Sequence, residues 1–170
     1  MEERRIFLKL LSEQDVTEKY LSWMADGEVM QYLESRWFSH TVDSIRGYVK
    51  RMNESPNDFL FGIFDDEFGH IGNIKIGGIN QLHRFGDVGL VIGEKAVRGR
   101  GYGTKAIQMA TEYAFKELNL NKLTAGMYAN NVASHKAFLK AGYRQVGYYE
   151  KHWFCQGKYV DGFLMERLRP

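Results

Sequence analysis

A single cysteine, Cys155, stands in 170 residues, so no internal disulfide can form and the chain suits a reducing compartment. A nucleophilic role for that thiol would need a neighbouring base, and His152 is the one local candidate. Prolines are two, Pro56 and Pro170, and there is no internal repeat or low-complexity tract, so nothing reads as a linker. One domain over residues 1–170 is the expectation. No apolar run approaches the length of a membrane span, and Met1-Glu-Glu-Arg-Arg5 has no apolar signal core. A cytoplasmic location without a membrane partner follows. No dense Lys/Arg block with interleaved aromatics occurs, which argues against nucleic acid. No metal site is expected either.

What is present is an ordinary globular balance, 44% hydrophobic and 26% charged. The net charge of +2 is unevenly placed. Residues 1–85 carry 10 Lys/Arg against 14 Asp/Glu, and residues 86–170 carry 13 against 7. A basic half suits a polyanionic ligand and an acidic half a cationic one.

Along the chain, residues 5–11 read as an opening strand. Ser12-Glu-Gln-Asp15 has the form of a helix start, followed by Val16, Tyr20, Trp23 and Met24 at helical spacing. A break at Asp26-Gly27 precedes a short apolar segment over 29–33. Thr41-Val-Asp-Ser44 predicts a second N-cap, with Ser55-Pro56 ending that helix. Strands are expected over 59–64, 70–79 and 87–92, with a hairpin turn at 65–69 and a loop around 82–85. The clearest helix spans 101–118, with Ile107, Ala110, Thr111, Ala114 and Leu118 on one face. A strand over 123–128, a helix over 134–141 ending at Gly142, and strands over 143–149 and 163–167 close the chain, with a turn at Gln156-Gly157. The order is strand, two helices, three strands, then α-β-α-β-β. It predicts an α/β fold, a mixed sheet with helices on both faces.

The informative run is Val88-Gly-Leu-Val-Ile-Gly-Glu-Lys-Ala-Val-Arg98-Gly-Arg-Gly101-Tyr-Gly103-Thr104. A strand feeds a glycine-rich loop that opens into an amphipathic helix. Free N–H groups at a helix N-terminus attract phosphate, and glycines let a pyrophosphate approach the backbone. Arg98 and Arg100 add charge-assisted hydrogen bonds. The run is not a Walker A loop, since Gly-Lys-Ser/Thr is missing, and it fits the dinucleotide fingerprint poorly, since it does not open the first βα unit. A tight turn without a ligand is the alternative.

Arg98-x-x-Gly101-x-Gly103, Asn131-x-x-Ser134 and Gly142-Tyr143 together closely resemble the GNAT acetyltransferase family. From Asp87 to Leu168, including Gly157-Lys-Tyr-Val-Asp161, the chain is similar to the RimJ/RimL-type branch. So is its opening, Tyr20-Leu-Ser-Trp23-Met-Ala-Asp26-Gly-Glu-Val29-Met-Gln-Tyr32-Leu33. The resemblance implies a twisted, mostly antiparallel sheet whose middle strands splay, with acetyl-CoA in the wedge between 87–92 and 123–128. It implies pantetheine bonded to backbone groups near Val91 and Gly93, and pyrophosphate met by the N–H groups of Gly99, Arg100, Gly101, Tyr102, Gly103 and Thr104. It implies Asn131 on the pantetheine arm and Ser134 near the thioester. Asn131 and Ser134 otherwise read as helix-capping residues.

Acetyl transfer needs a neutral amine. For a lysine-like amine of pKa about 10.4, deprotonation at pH 7 costs about 4.6 kcal/mol; for an α-amine it costs about 1 kcal/mol. A carboxylate acting through water can take that proton, and Asp87 stands where the branch often carries glutamate. Glu94 and then His83 are the alternatives. A backbone N–H near Ile92 would hold the oxyanion. The family often places a tyrosine acid on the second helix, but here that position is Phe138, which would sit beside the sulfur without a proton to give. Ser134, Tyr143 or an unassisted thiolate remain. The resemblance implies an N-acetyltransferase working in a ternary complex on a primary amine, such as an amino sugar nucleotide, and it admits a homodimer. The alternatives are a protein N-terminal acetyltransferase and an acyl-CoA-binding module without turnover. Trp37-Phe38 and residues 148–154 offer aromatic surface for a sugar or base, or simply for packing.

Overall fold

The computed structural model of the protein describes residues 5–170. Strands β1 (Ile6–Leu10), β2 (Phe59–Asp65), β3 (Gly69–Asn80), β4 (Phe85–Ile92), β5 (Lys122–Tyr128), β6 (Arg144–Cys155) and β7 (Lys158–Leu168) form one sheet in the order β1-β2-β3-β4-β5-β7-β6. Helices α1 (Glu18–Met24), α2 (Gly27–Met30), α3 (Val42–Glu54), α4 (Tyr102–Lys116) and α5 (Val132–Lys140) cover it. Every neighbouring pair is antiparallel except β4 with β5, which is parallel. The α/β class expected from the sequence is the one observed.

Strand alternation divides the apolar residues between two cores. On β2, Phe59, Phe61 and Ile63 face one side, while Leu60 and Phe64 face the other. The larger core joins Ile63, Ile74, Ile76, Val88, Leu123 and Met165 to Ala106, Ile107, Ala110 and Ala114 of α4. Those helix residues recur at spacings of three and four, which makes the stripe continuous. Burying a side chain such as Ile107 completely contributes about 1.5–3 kcal/mol. The smaller core joins Leu60 to Leu11, Tyr20, Trp23, Ile45 and Val49 under α1 and α3.

Three local expectations shift. Ser12–Asp15 starts a 3-10 turn over Glu13–Asp15, and α1 begins later, capped by Thr17, whose hydroxyl accepts the Tyr20 N–H at 3.4 Å. The apolar segment after Gly27 folds as the short α2, capped by Asp26. Strand β6 does not close at Tyr149. Between Tyr149 (opposite Gly162) and Trp153 (opposite Val160) a bulge absorbs the intervening residues, and the strand then resumes. Lys151 in that bulge has φ +48°. The second N-cap forms as expected, with Thr41 and Ser44 exchanging hydrogen bonds.

Candidate functional site

The parallel ladder between β4 and β5 has only three rungs, Phe85 with Lys122, Gly86 with Leu123 and Asp87 with Thr124. Beyond Asp87 the strands separate and leave a wedge. The Gly93 N–H donates to the Ile71 carbonyl at 2.9 Å, so Gly93 faces β3. By antiparallel alternation Val91 faces β3 as well, and Val88, Leu90 and Ile92 turn their backbone groups toward the wedge. The Val91 and Gly93 backbone groups, expected to take part in sheet extension, are thus turned to β3, and those of Leu90 and Ile92 face the wedge. Gly93 has a packing role instead, because a Cβ there would meet the Trp23 ring at 2.0 Å.

Asp87 lies at the apex of the wedge. Its Oδ1 accepts the Thr124 hydroxyl at 3.0 Å. The side chain reaches water, yet protein surrounds the apex on most sides, and this desolvation raises its pKa above the usual aspartate value. The Thr124 bond and the Lys75 ammonium pull the other way without reversing the shift. Glu94 is engaged elsewhere: it caps the turn at Ala96 and pairs with Lys19 at 3.3 Å, and the Ala96 N–H leads in holding its pKa low. His83 sits on the exposed β3–β4 loop, stacked on Phe85.

At the far end of β4 the chain turns through Gly99 (φ +73°) and Gly101 (φ +82°) into α4. Among the described residues, a Cβ at either glycine would meet nothing within 4 Å, so both border space that these residues leave open. Thr17, Asp26, Thr41 and Asn131 cap α1, α2, α3 and α5 with their side chains, whereas α4 starts at Gly101 with no side-chain cap among the described residues. Its first N–H groups, through Thr104, therefore have no intrahelical partner. Tyr102 anchors this end, its buried hydroxyl donating to Asp65 at 3.0 Å. Arg100, Gly101 and Lys105 line a cleft of about 270 Å³ with Ile6 and Tyr102. Arg98 is tied to Glu28 at 2.5 Å, and Lys95 bridges Glu28 and Asp26 at 2.9 and 2.8 Å.

Asn131 caps α5 by accepting the Ser134 N–H at 3.3 Å, and both residues are half-buried. Phe138 departs from its expected place. Its ring is 2% exposed in the larger core and meets Tyr143 edge-on at 4.9 Å. An apolar side chain on the inner face of α5 packs there, whereas Val132 and Leu139 face outward. Tyr143 is equally enclosed, paired with Thr111 at 2.8 Å, and burial pushes its pKa up to about 12.

The face that carries Asp87 and Thr124 continues through Gly126 to Tyr128, with Gly162 and Trp153 beside them by register. Tyr128 and Trp153 are 5.0 Å apart, and Tyr149 and Tyr32 extend the aromatic group. Arg36 clamps the segment Glu34–Trp37 over this group through the Leu33 carbonyl, the Tyr128 hydroxyl and the Phe154 carbonyl, at 2.9 to 3.0 Å. Glu34 accepts the Tyr128 hydroxyl. Sequence reasoning missed Leu90, Thr124, Lys105 and Tyr128. Only Lys105, a cation one turn into a glycine-opened helix, carried a local signal.

A family model for the Acetyltransferase (GNAT) domain matches residues 5–144. The probable N-acetyltransferase YjcK of Bacillus subtilis strain 168 is 31% identical over 132 residues, covering 74% of this chain and 70% of that one. The structure of spermidine N-acetyltransferase from Vibrio cholerae in complex with CoA and spermine superposes with a TM-score of 0.84 at 22% identity, over 96% and 95% of the two chains. RimL, a ribosomal L7/L12 α-N-protein acetyltransferase in complex with CoA, superposes with a TM-score of 0.86 at 14% identity, over 96% and 93%. At these identities the two structures share the fold.

Proposed function

The chain belongs to the GNAT acetyltransferase family and is an acetyl-CoA-dependent N-acetyltransferase; from that premise we propose that it acetylates the primary amine of a small molecule by direct attack in a ternary complex. The observation that carries this reading is the wedge, with Asp87 at its apex and the uncapped α4 at its mouth. The residues fit the cosubstrate: Gly99 and Gly101 leave open the space that a Cβ would fill. In this reading the N–H groups of 99–104 hold the pyrophosphate, with Arg100 beside them. Leu90 and Ile92 pair with pantetheine, and the Asn131 NH2 serves its arm, since the carboxamide oxygen is taken by the cap.

Acetyl-CoA supplies a thioester carbonyl. The Leu90 N–H, turned toward the wedge and nearer the apex than that of Ile92, receives the negative charge that develops on its oxygen. Asp87 takes the amine proton, directly or through one water, and its raised pKa brings it nearer the working pH. Ser134, in the first turn of α5, stands toward the sulfur. Thiolate departure needs no acid at Phe138, because a thiol of pKa about 8.5 leaves readily.

The acceptor enters on the Asp87 face, where Trp153 and Tyr149, backed by the buried Tyr128, suit a flat ring or sugar. An amino sugar nucleotide therefore heads the candidates, ahead of a polyamine or a protein N-terminus of the kind the RimJ/RimL-type branch implies. The test is CoA release with an amino sugar nucleotide, spermidine and an alanine-starting tripeptide. Intersecting initial-velocity lines are expected. Parallel lines would show a covalent acetyl-enzyme, and thioester binding without turnover would refute the enzyme's acceptor chemistry.

A further inference from the structure

Trp153 occupies a seat made by two glycines. A Cβ on Gly162 would come within 1.9 Å of its Cζ3 atom, and one on Gly126 within 3.6 Å of Cη2. The indole thus lies flat on β7 and β5, at the end where the wedge is open. Its neighbours are Tyr128, His152 and Tyr149, at ring distances of 5.0, 4.8 and 5.9 Å.

The β6 bulge decides where this ring goes. Without the extra residues between Tyr149 and Trp153, alternation would carry a different side chain onto Gly162. One side chain holds the bulge. Asp161 Oδ1 accepts the Lys151 N–H at 2.7 Å, and Oδ2 accepts the Tyr148 hydroxyl. The Asp161 carbonyl also accepts the Ala129 N–H at 2.8 Å, which fixes the chain as it leaves β5. Lys151 has left-handed backbone geometry, unfavourable for a side chain of its type, so the bulge needs such a holder. In the sequence Asp161 closes the run Gly157-Lys-Tyr-Val-Asp161.

We propose that Trp153 is the wall against which the body of the acceptor lies, and that Asp161 is its positioning residue, acting through the β6 bulge. The proposal rests on the acceptor approaching from the Asp87 face.

The test compares Trp153→Ala, Asp161→Ala, Asp161→Asn, Gly162→Ala and the double variant Trp153→Ala/Asp161→Ala. Steady-state kinetics use whichever of the amino sugar nucleotide, spermidine and alanine tripeptide the wild type turns over best. The Trp153 indole N–H resonance reports the ring's position independently. Trp153→Ala and Asp161→Ala should each raise the acceptor KM by about 10-fold or more, since misplacement by an ångström has effects of this order. The acetyl-CoA KM should stay within about twofold, and the double variant should be no worse than Trp153→Ala alone. Asp161→Asn, which keeps an oxygen for the Lys151 N–H, should recover part of the loss. If Asp161→Ala does not fold, Gly162→Ala displaces the ring with both carboxylate bonds intact and should raise the same KM.

An unshifted indole resonance and acceptor KM in Asp161→Ala, with only a lower melting temperature, would overturn the positioning role. So would additive losses in the double variant. Normal acceptor KM in Trp153→Ala would overturn the wall and, with it, the Asp87-face reading. Failure of the wild type to turn over any of the three amines would overturn the wall as an acceptor contact.

Discussion

Replacing Asp87 with asparagine tests the chemistry most directly, because the change removes a charge and little else. Asparagine keeps an oxygen where Oδ1 accepts the Thr124 hydroxyl at 3.0 Å, so the apex geometry should survive. Stability should hold or rise. Burial raises the folded-state pKa of Asp87 above its unfolded value, so the native state favours the protonated form. Such a carboxyl disfavours folding as pH rises from the unfolded pKa through the folded one, and that handicap persists at pH 7. Asparagine removes it. Activity should fall nonetheless, by about 10²-fold in kcat at pH 7, or about 2.7 kcal/mol, at the lower end of what a positioned base contributes. The loss should shrink with pH, because an amine of pKa about 10.4 is about half neutral at that pH and needs no base. In the wild type the acidic limb of the pH–rate profile should lie above the ordinary aspartate range, the direction set by burial. CoA release followed with a thiol reagent from acidic to alkaline pH measures both quantities. An unchanged profile in Asp87→Asn, or a loss constant with pH, would remove Asp87 as the base.

Other perturbations bear on separate parts of the site. Acetyl-CoA at about 100 times its Kd should stabilise the protein by about 2.7 kcal/mol, read as a rise in Tm; no shift at millimolar concentration would refute the cosubstrate site. Gly101→Val should abolish that shift. Its backbone at φ +82° carries an expected strain of about 1–2 kcal/mol, so the variant should still fold, and retained CoA binding would show that the loop does not cradle phosphate. Phe138→Tyr should destabilise by about 1–3 kcal/mol, since it puts a hydroxyl into a packed core, and should raise kcat by less than about 10-fold. A larger gain would mean that the ring faces the sulfur and that acid assistance limits the enzyme.

Features held by local physics were legible in the sequence. Gly99 and Gly101 are glycines because the chain takes left-handed turns there, and Thr41 with Ser44 caps α3 with no help from distant residues. The stripe on α4 needs only its own periodicity. What stayed hidden depends on partners far along the chain. The Arg98–Glu28 pair joins residues 70 apart, so a guanidinium expected to be free for phosphate is shared with a carboxylate. The choice of Leu90 and Ile92 over Val91 and Gly93 follows from which edge of β4 meets β3, and no property of those side chains reveals it. The length of β6 was concealed because the polar residues of its bulge interrupt the alternation. Phe138 shows the limit of a family pattern: position on the helix transfers, but the surroundings of the ring do not.

The three rungs between β4 and β5 are also a mechanical seam. They are the ladder joining β1–β4 to β5–β7–β6, while β3 and β4 share a register from Gly72 to Asn80. Shear between the two half-sheets therefore meets little backbone resistance past Asp87, and the load passes to α4, which bridges them as it carries the chain from β4 to β5. The amides of Leu90 and Ile92, with no strand opposite, should exchange with solvent faster than those of Val91 and Gly93 on the same strand. Whatever fills the gap stitches the halves together along that line. A ligand seated along that line should therefore stiffen the domain, read as slower exchange of the Leu90 and Ile92 amides.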